Sequence, residues 1–83
     1  MAPSREEVQE LIELVVRHLV DYPDEVQVSM FSQARAVTYE LEVNDVDLGR
    51  VIGREGRTAR AIREVVNAAT LGWNERVYVE ILD

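Results

Sequence analysis

The sequence predicts an α+β domain in which a three-stranded sheet packs against three helices, in the element order α-β-β-α-α-β. Three observations support this prediction. Apolar residues recur at helical spacing near both ends of the chain, three short stretches alternate apolar with polar residues, and a pair of glycines separates two apolar segments. With 83 residues and no linker, repeat or low-complexity tract, residues 1–83 are expected to form a single domain.

The first helix is predicted over residues 4–20. Ser4 followed by Glu7 fits a capping box, which marks the start of a helix. Proline disfavours a helical conformation in the residue before it, so Tyr22-Pro23 is expected to stop this helix. The apolar positions predict one wide buried face and are Val8, Leu11, Ile12, Val15, Val16, Leu19 and Val20.

Alternating apolar and polar residues predict a β-hairpin over residues 25–44 and a last strand over residues 76–82. The hairpin turn is expected within residues 33–36, and its type is left open because that segment has neither Gly nor Asn. All three strands are interpreted as able to pair antiparallel. Their apolar positions are Val26, Val28 and Met30, then Val37, Tyr39, Leu41 and Val43, and finally Val77, Val79 and Ile81.

Residues 45–70 predict two helices joined by a glycine-containing turn. A short helix through Leu48 and Ile52 is capped by Asp45 or Asp47 and closed by Gly53. The second helix is predicted from about Arg57 to Ala69, and the residues it buries are Ala61, Ile62, Val65, Val66 and Ala69.

A loop is predicted over residues 71–74. Two interpretations of Trp73 in this loop stay open: it covers the edge of the core, or it stacks on a nucleic-acid base.

Charge is distributed unevenly along the chain. The formal net charge is −7, which by itself disfavours a polyanionic ligand. Residues 50–63 nevertheless contain five arginines and one acid, whereas the rest of the chain contains four arginines and 15 acids. A basic island on an acidic body indicates one directed contact site.

The composition also argues against several classes of function. Cysteine is absent and His18 is the only histidine, so we predict no disulfide and no metal site. We also predict no cofactor and no small-molecule substrate. No nucleophile–base pair or phosphate-loop lysine is visible, which makes an enzyme the weakest hypothesis. Residues 1–5 lack a signal-peptide pattern and no apolar run reaches membrane-spanning length, so we expect a cytoplasmic protein without a membrane partner.

The candidate site is the turn between the two predicted helices of residues 45–70. Glycine has no Cβ, so a phosphate can approach the backbone closely, and the following helix N-terminus offers unpaired amides to the same anion. The residues predicted to contact a polynucleotide are Arg50, Val51, Ile52, Gly53, Arg54, Glu55, Gly56, Arg57 and Arg60.

Roles within the site differ in how firmly the sequence indicates them. Arg54 and Arg57 are the preferred sources of positive charge. Glu55 opposes an incoming phosphate, and it either points outward or pairs with a neighbouring arginine. Arg60 and Arg63 either contact the ligand, or pair with Glu64, or only solvate the helix face. A G-x-x-G motif alone is also compatible with a plain helix–helix connection.

An apolar groove is expected beside the turn, where it would accept bases. The hairpin's second strand is the expected opposite wall. The predicted lining residues are Val51, Ile52, Ala59 and Ile62.

The segment from Gly49 to Arg63, with Val51-Ile52-Gly53-Arg54-Glu55-Gly56 at its centre, resembles the signature of a KH domain. The element order resembles the type II form of that domain. Over the whole chain, the opening helix, the Asp21-Tyr22-Pro23 stop and the short last strand resemble the KhpA (YlqC) family, small bacterial RNA-binding proteins with a single KH domain.

This resemblance implies a non-catalytic protein whose GxxG loop grips about four nucleotides of single-stranded RNA. It also implies a homodimer or a complex with KhpB, and a post-transcriptional regulator or RNA chaperone that affects cell division or the envelope. Many members carry two basic or polar residues inside the GxxG loop, and Glu55 departs from a doubly basic loop. The alternative hypothesis is a protein–protein adaptor whose contact with nucleic acid is incidental.

Overall fold

A computed structural model describes residues 2–83 and confirms the predicted α+β class and element order. Single turns of 3-10 helix at Pro23–Glu25, Asp45–Asp47 and Arg54–Gly56 connect the longer elements. These elements are α1 (Arg5–Arg17), β1 (Gln27–Gln33), β2 (Ala36–Glu42), α2 (Leu48–Ile52), α3 (Arg57–Ala69) and β3 (Arg76–Ile81).

Helix α1 begins at the predicted capping box. The Ser4 hydroxyl accepts a hydrogen bond from the Glu7 amide at 3.0 Å, and the Glu7 carboxylate accepts one from the Ser4 amide at 2.8 Å. Both bonds satisfy amides that a helix N-terminus leaves without an intrahelical partner. Within residues 2–83, no helix has both the length and the apolar character needed to cross a membrane.

A buried carboxylate, Asp47, fixes the chain where it leaves α1. Its two oxygens accept hydrogen bonds from the amides of Asp21 and Tyr22 at 3.0 and 3.1 Å. α1 itself ends at Arg17 instead of extending to residue 20 as predicted, because the Leu19 amide donates to the Val16 carbonyl three residues back and so leaves the α-helical pattern. Asp47 was one of two predicted helix caps, but its side chain makes no cap bond to α2, and Asn44 caps the preceding 3-10 turn instead.

The three strands form a mixed sheet in the order β1-β2-β3. Strands β1 and β2 are antiparallel and are joined by a two-residue turn at Ala34-Arg35. Neither turn residue has a positive φ, so the turn is not one of the primed types that favour Gly or Asn. Strand β3 pairs parallel to β2, which corrects the antiparallel expectation. The helical segment between β2 and β3 returns the chain to the end of the sheet where β2 began.

The helices cover one face of the sheet, with α1 packed on β1 and α3 packed on β3. On this covered face, the Tyr39 hydroxyl donates to the Arg5 carbonyl at 2.8 Å, and burial raises the pKa of Tyr39 to about 12. The residues buried in this core are Val8, Ile12, Val16, Val26, Val28, Val37, Tyr39, Leu41, Val43, Val51, Ile62, Val66 and Val79.

Helix α3 buries a narrower stripe than the sequence predicts. Ile62 and Val66 are buried as expected, but Ala61 and Val65 are exposed. The Trp73 indole packs partly buried against the core and donates to the Pro3 carbonyl at 3.1 Å. This contact supports the interpretation in which Trp73 covers the core edge.

Candidate nucleic-acid interface

The predicted site is a tight connection between α2 and α3, formed by residues 53–56. Gly53 has φ 78° and ψ 170°, a backbone region that is accessible essentially only to glycine. Glu55 has φ 56° and ψ 25°, and Gly56 has φ 75° and ψ 14°, so both are left-handed. Left-handed backbone is uncommon for residues other than glycine. Three positive φ values within four residues therefore make the chain reverse sharply.

The two glycines are required for different reasons. A Cβ on Gly53 would lie 2.3 Å from the Thr58 hydroxyl oxygen and 2.8 Å from the Thr58 backbone nitrogen. The first turn of α3 therefore packs directly against Gly53, which also closes α2 as predicted by donating to the Gly49 carbonyl at 2.8 Å. A Cβ on Gly56 would meet only the Arg60 Nη1 atom, at 3.6 Å, so Gly56 is required by its φ angle alone.

The bend is exposed, and only part of its backbone is bonded internally. Arg54 and Glu55 are exposed, whereas the glycines on either side are half-buried. The Gly56 amide donates to the Gly53 carbonyl at 3.1 Å, and the Arg57 amide donates to the Arg54 carbonyl. Among residues 2–83, the turn hydrogen bonds do not use the amides of Arg54 and Glu55. These two amides are therefore open to an anion.

Two arginines of the basic region have no protein partner. The side chains of Arg54 and Arg57 are exposed and form neither a hydrogen bond nor a salt bridge with any residue in the described range 2–83. Arg54 lies in the bend and Arg57 is the first residue of α3. Both guanidinium groups keep their full set of donors for a ligand.

Two further arginines of the predicted site bond to the protein itself. Arg50 forms a salt bridge with Asp21 at 3.0 Å, which links α2 to the segment that follows α1. Arg60 donates from Nη1 to the backbone carbonyl of Glu55 at 3.0 Å. Arg60, a residue of α3, thus stabilises the left-handed conformation of Glu55 in the bend. It forms no salt bridge with Glu64, which removes one of the alternatives considered for it.

The Glu55 carboxylate points into solvent. Its side chain forms no salt bridge with an arginine among residues 2–83, and the residue is exposed. Of the two interpretations of Glu55, the outward orientation is therefore the one observed. A carboxylate at this position still lowers the positive potential that an approaching phosphate meets.

The apolar groove beside the bend is smaller than predicted. Val51 has no exposed surface, and Ala59 and Ile62 are also buried, so these three side chains belong to the core. Ile52, at 38% exposure, is the one predicted lining residue that presents substantial surface. The predicted wall is also wrong, because β2 is the central strand and the strand packed beside α3 is β3.

A recess that the sequence did not indicate lies between α3 and the outer edge of β3. Helical spacing places Asn67 on the same flank of α3 as Arg60 and Arg63, and this signal was available in the sequence. The contribution of β3 was not, because it depends on the parallel strand order. The recess is lined by Arg63, Asn67, Val77, Tyr78, Val79 and Glu80.

Comparison with known proteins gives one consistent family. Residues 9–81 match the family model described as KhpA/KhpB, KH domain. The chain is 47% identical over 75 residues to the RNA-binding protein KhpA of Clostridium acetobutylicum, covering 90% of this chain and 100% of the relative. It is 46% identical over 74 residues to the RNA-binding protein KhpA of Borreliella burgdorferi, covering 89% and 90%. For the protein of that name from Leifsonia xyli, identity is 49% over 69 residues, covering 83% and 88%. No solved structure matches the chain significantly.

Proposed function

The chain belongs to the KhpA/KhpB family of KH domains, and from this premise we propose that it binds single-stranded RNA through the bend at residues 53–56. The family is non-catalytic, so the protein is not an enzyme. The α+β fold with its mixed sheet is consistent with a KH domain. The proposed ligand class follows from the relatives, which carry the name RNA-binding protein.

The observation that carries this proposal is a pair of exposed arginines, Arg54 and Arg57, at a bend with open backbone amides. Neither side chain has a partner among the described residues 2–83. One phosphate would accept hydrogen bonds from the amides of Arg54 and Glu55. The guanidinium groups would contact that phosphate and its neighbour, and the N-terminus of the 13-residue helix α3 adds a favourable dipole. These contacts hold the RNA backbone and carry no sequence information.

The remaining residues of the predicted site take supporting roles in this proposal. Arg60 positions the bend through the Glu55 carbonyl, and Arg50 positions α2 through Asp21. Val51 supports the bend from the core, and Ile52 offers the apolar surface nearest to it. Gly53 and Gly56 give the backbone its shape.

The expected affinity of one domain is modest. Contact with about three phosphates of a single strand gives a slope of roughly −2 for the logarithm of the binding constant against the logarithm of salt concentration. Two domains that hold one RNA gain affinity from the raised effective concentration of the second site. We therefore propose that the working form is a homodimer or a complex with KhpB, as the KhpA/KhpB family description suggests.

At the level of the cell, we propose a post-transcriptional regulator or RNA chaperone with effects on cell division or the envelope. Support for this part comes from the family resemblance alone. Transcripts are cytoplasmic in bacteria, the source of the relatives described above, so the proposal places the protein in the cytoplasm.

The test is a double substitution, Arg54→Asp with Glu55→Asp, measured by fluorescence anisotropy with a single-stranded 12-mer RNA. We expect binding to be abolished and the circular dichroism spectrum to stay unchanged, because both side chains are exposed. The control is Arg76→Asp, which makes the same change in net charge on the exposed residue that opens β3. Unchanged affinity in the double variant would rule out this clamp.

A second candidate function, a protein–protein adaptor, is favoured by one specific observation. Phe31 and Tyr78 are 52% and 47% exposed on the face of the sheet that no helix covers. Adaptor function predicts that partner capture survives the Arg54/Glu55 double substitution and that no RNA crosslinks to the protein in cells. Loss of capture in that variant, with RNA crosslinked to the wild type, would favour RNA binding instead.

A further inference from the structure

The recess between α3 and β3 contains an arginine that the backbone clamp does not use. β3 ends the strand order β1-β2-β3, so its outer edge has no strand partner. The amides of Arg76 and Leu82 donate toward the β2 side, to the carbonyls of Arg35 and Leu41. Because backbone groups alternate along a parallel strand, those of Val79 face the outer edge.

Arg63 is fixed against this edge by one nitrogen only. Its Nε donates to the Val79 carbonyl at 3.1 Å. Its Nη1 and Nη2 atoms form no hydrogen bond or salt bridge within residues 2–83, so four N–H donors are unpaired. The guanidinium plane is therefore already oriented, and an oriented guanidinium loses less entropy when it binds a planar partner.

The carboxylate nearest to the recess does not share it. Glu80 borders the recess, but alternation along β3 places its side chain with Tyr78 on the face of the sheet that α3 does not cover. The recess thus offers an oriented donor pair on Arg63. Asn67 adds one amide at the rim.

The geometry points to Arg63 as a residue that selects guanine in the bound RNA, an inference that rests on the proposed RNA-binding function. Guanine presents two adjacent acceptors, O6 and N7, which form the commonest specific base contact with arginine. Arg63 lies seven residues after Gly56, about 10 Å along the helix axis, which is within the reach of the four nucleotides that a KH loop spans.

A purely structural role for Arg63 is the competing explanation. At the opposite edge of the sheet, Gln9 donates to the Val28 carbonyl of β1 at 2.6 Å. Side chains that cover an exposed strand edge protect it against pairing with other chains. Gln9 and Arg63 are therefore comparable as edge covers, and an experiment must separate this role from base selection.

The experiment measures the affinity of the full chain for four U-rich 8-mer RNAs that differ at one central position, G, A, C or U. We expect the G-containing RNA to bind about tenfold more tightly than the U-only RNA. Arg63→Lys keeps the charge but loses the planar fork, so it should abolish this preference while affinity for the U-only RNA stays within about twofold. Arg17→Lys, on exposed α1 surface, is the matched control and should keep the preference.

A base analogue tests the contact from the ligand side. Replacement of the guanine by 7-deazaguanine removes the N7 acceptor, so it should weaken binding to the wild type and have no further effect on Arg63→Lys. Should Arg63→Lys fold poorly, Arg63→Gln is the second variant, and it should likewise abolish the preference for guanine.

The outcomes separate the two proposals. Equal binding of all four RNAs, a preference for another base, or a guanine preference that survives Arg63→Lys overturns guanine selection and leaves RNA binding standing. A lower melting temperature with an unchanged preference shows that Arg63 is an edge cover only. Failure of the wild type to bind any of the four RNAs overturns the proposed function and this inference with it.

Discussion

The bend at residues 53–56 and the open face of the sheet are both exposed, yet they present opposite chemistry. The bend carries the unpaired Arg54 and the open backbone amides described above. The open face carries aromatic rings next to carboxylates. Phe31, Thr38 and Tyr78 form one cross-strand row, Glu40 and Glu80 lie two residues along the strands on one side, and Arg76 lies on the other side.

This difference shows why the net charge of −7 is a poor guide to the ligand. At physiological salt, exposed charges act on an approaching phosphate over about 8 Å. A phosphate near one surface therefore interacts mainly with the charges of that surface. Exposed aromatic rings alone would suggest base stacking on the sheet, but the adjacent carboxylates repel the phosphates that accompany any base. The location of unpaired cations, more than the presence of aromatic surface, is therefore the basis for proposing the bend as the RNA-binding side.

The largest expected effect is that of Gly53→Ala. This variant tests whether the bend tolerates a side chain at residue 53. The new Cβ would clash with Thr58 and occupy a backbone region unsuited to alanine, so we expect a loss of about 3 kcal/mol in the free energy of unfolding. Urea denaturation followed by circular dichroism measures this loss. Gly49→Ala is the control, because its Cβ would meet nothing within 4 Å and alanine favours a helix. Equal effects at both positions would contradict the packing described here.

The covered face of the sheet responds to alkaline pH through Tyr39. Burial raises its pKa from 10.0 to about 12 in the folded protein, so the folded state holds the phenol proton more tightly than the unfolded state. The stabilisation is complete below pH 10 and is lost as the pH rises toward 12. Unfolding free energies measured by urea denaturation across this range should fall, and Tyr39→Phe should remove that part of the decrease. An unchanged slope in the variant would show that other groups cause it.

Replacing one glutamate by arginine in each region gives a smaller change in RNA affinity, but the change should differ between the two regions. Glu55→Arg should raise RNA affinity about fivefold, because a carboxylate beside the phosphate site becomes a cation. Glu40→Arg makes the same charge change on the open face and should alter affinity less than twofold at physiological salt, because screening limits its reach to about 8 Å. Titration of a 12-mer RNA by fluorescence anisotropy measures both. Equal gains would indicate a response to net charge and not to a site.

The smallest expected effect is on the open face itself. Phe31→Ser should leave RNA affinity within about twofold of wild type, because an exposed ring beside the carboxylates of Glu40 and Glu80 is not expected to stack on bases. Its exposed side chain also contributes little to the core, so the melting temperature should change little. A tenfold loss of RNA affinity would indicate that RNA binds on the open face of the sheet and not at the bend.

Local sequence signals predicted the parts of this molecule that short-range chemistry decides. The capping box of Ser4 and Glu7, the closure of α2 by Gly53 and the bounds of α3 depend on contacts within a few residues, and each was predicted correctly. The α+β class followed from the change of hydrophobic period along the chain.

Features decided by distant contacts were predicted less well. The segment that follows α1 is held by Asp47, a residue 30 positions beyond Arg17. The parallel placement of β3 made β2 the central strand and removed it as a groove wall. The sequence showed how many arginines surround the bend but not which of them bond to the protein itself. Arg50, for example, bonds to Asp21, which is 29 residues earlier in the chain. Burial of Val51 likewise follows only from how α2 docks.

The Asp47 carboxylate and the Arg50–Asp21 pair have a consequence for how quickly RNA is captured. Together they pin the short helix that leads into the bend to the body of the protein by three contacts. A receptor held in its binding shape before the encounter spends little entropy on rearrangement when the ligand arrives. Association should therefore proceed in a single kinetic phase whose rate grows linearly with RNA concentration, and the lifetime of the complex should set its strength.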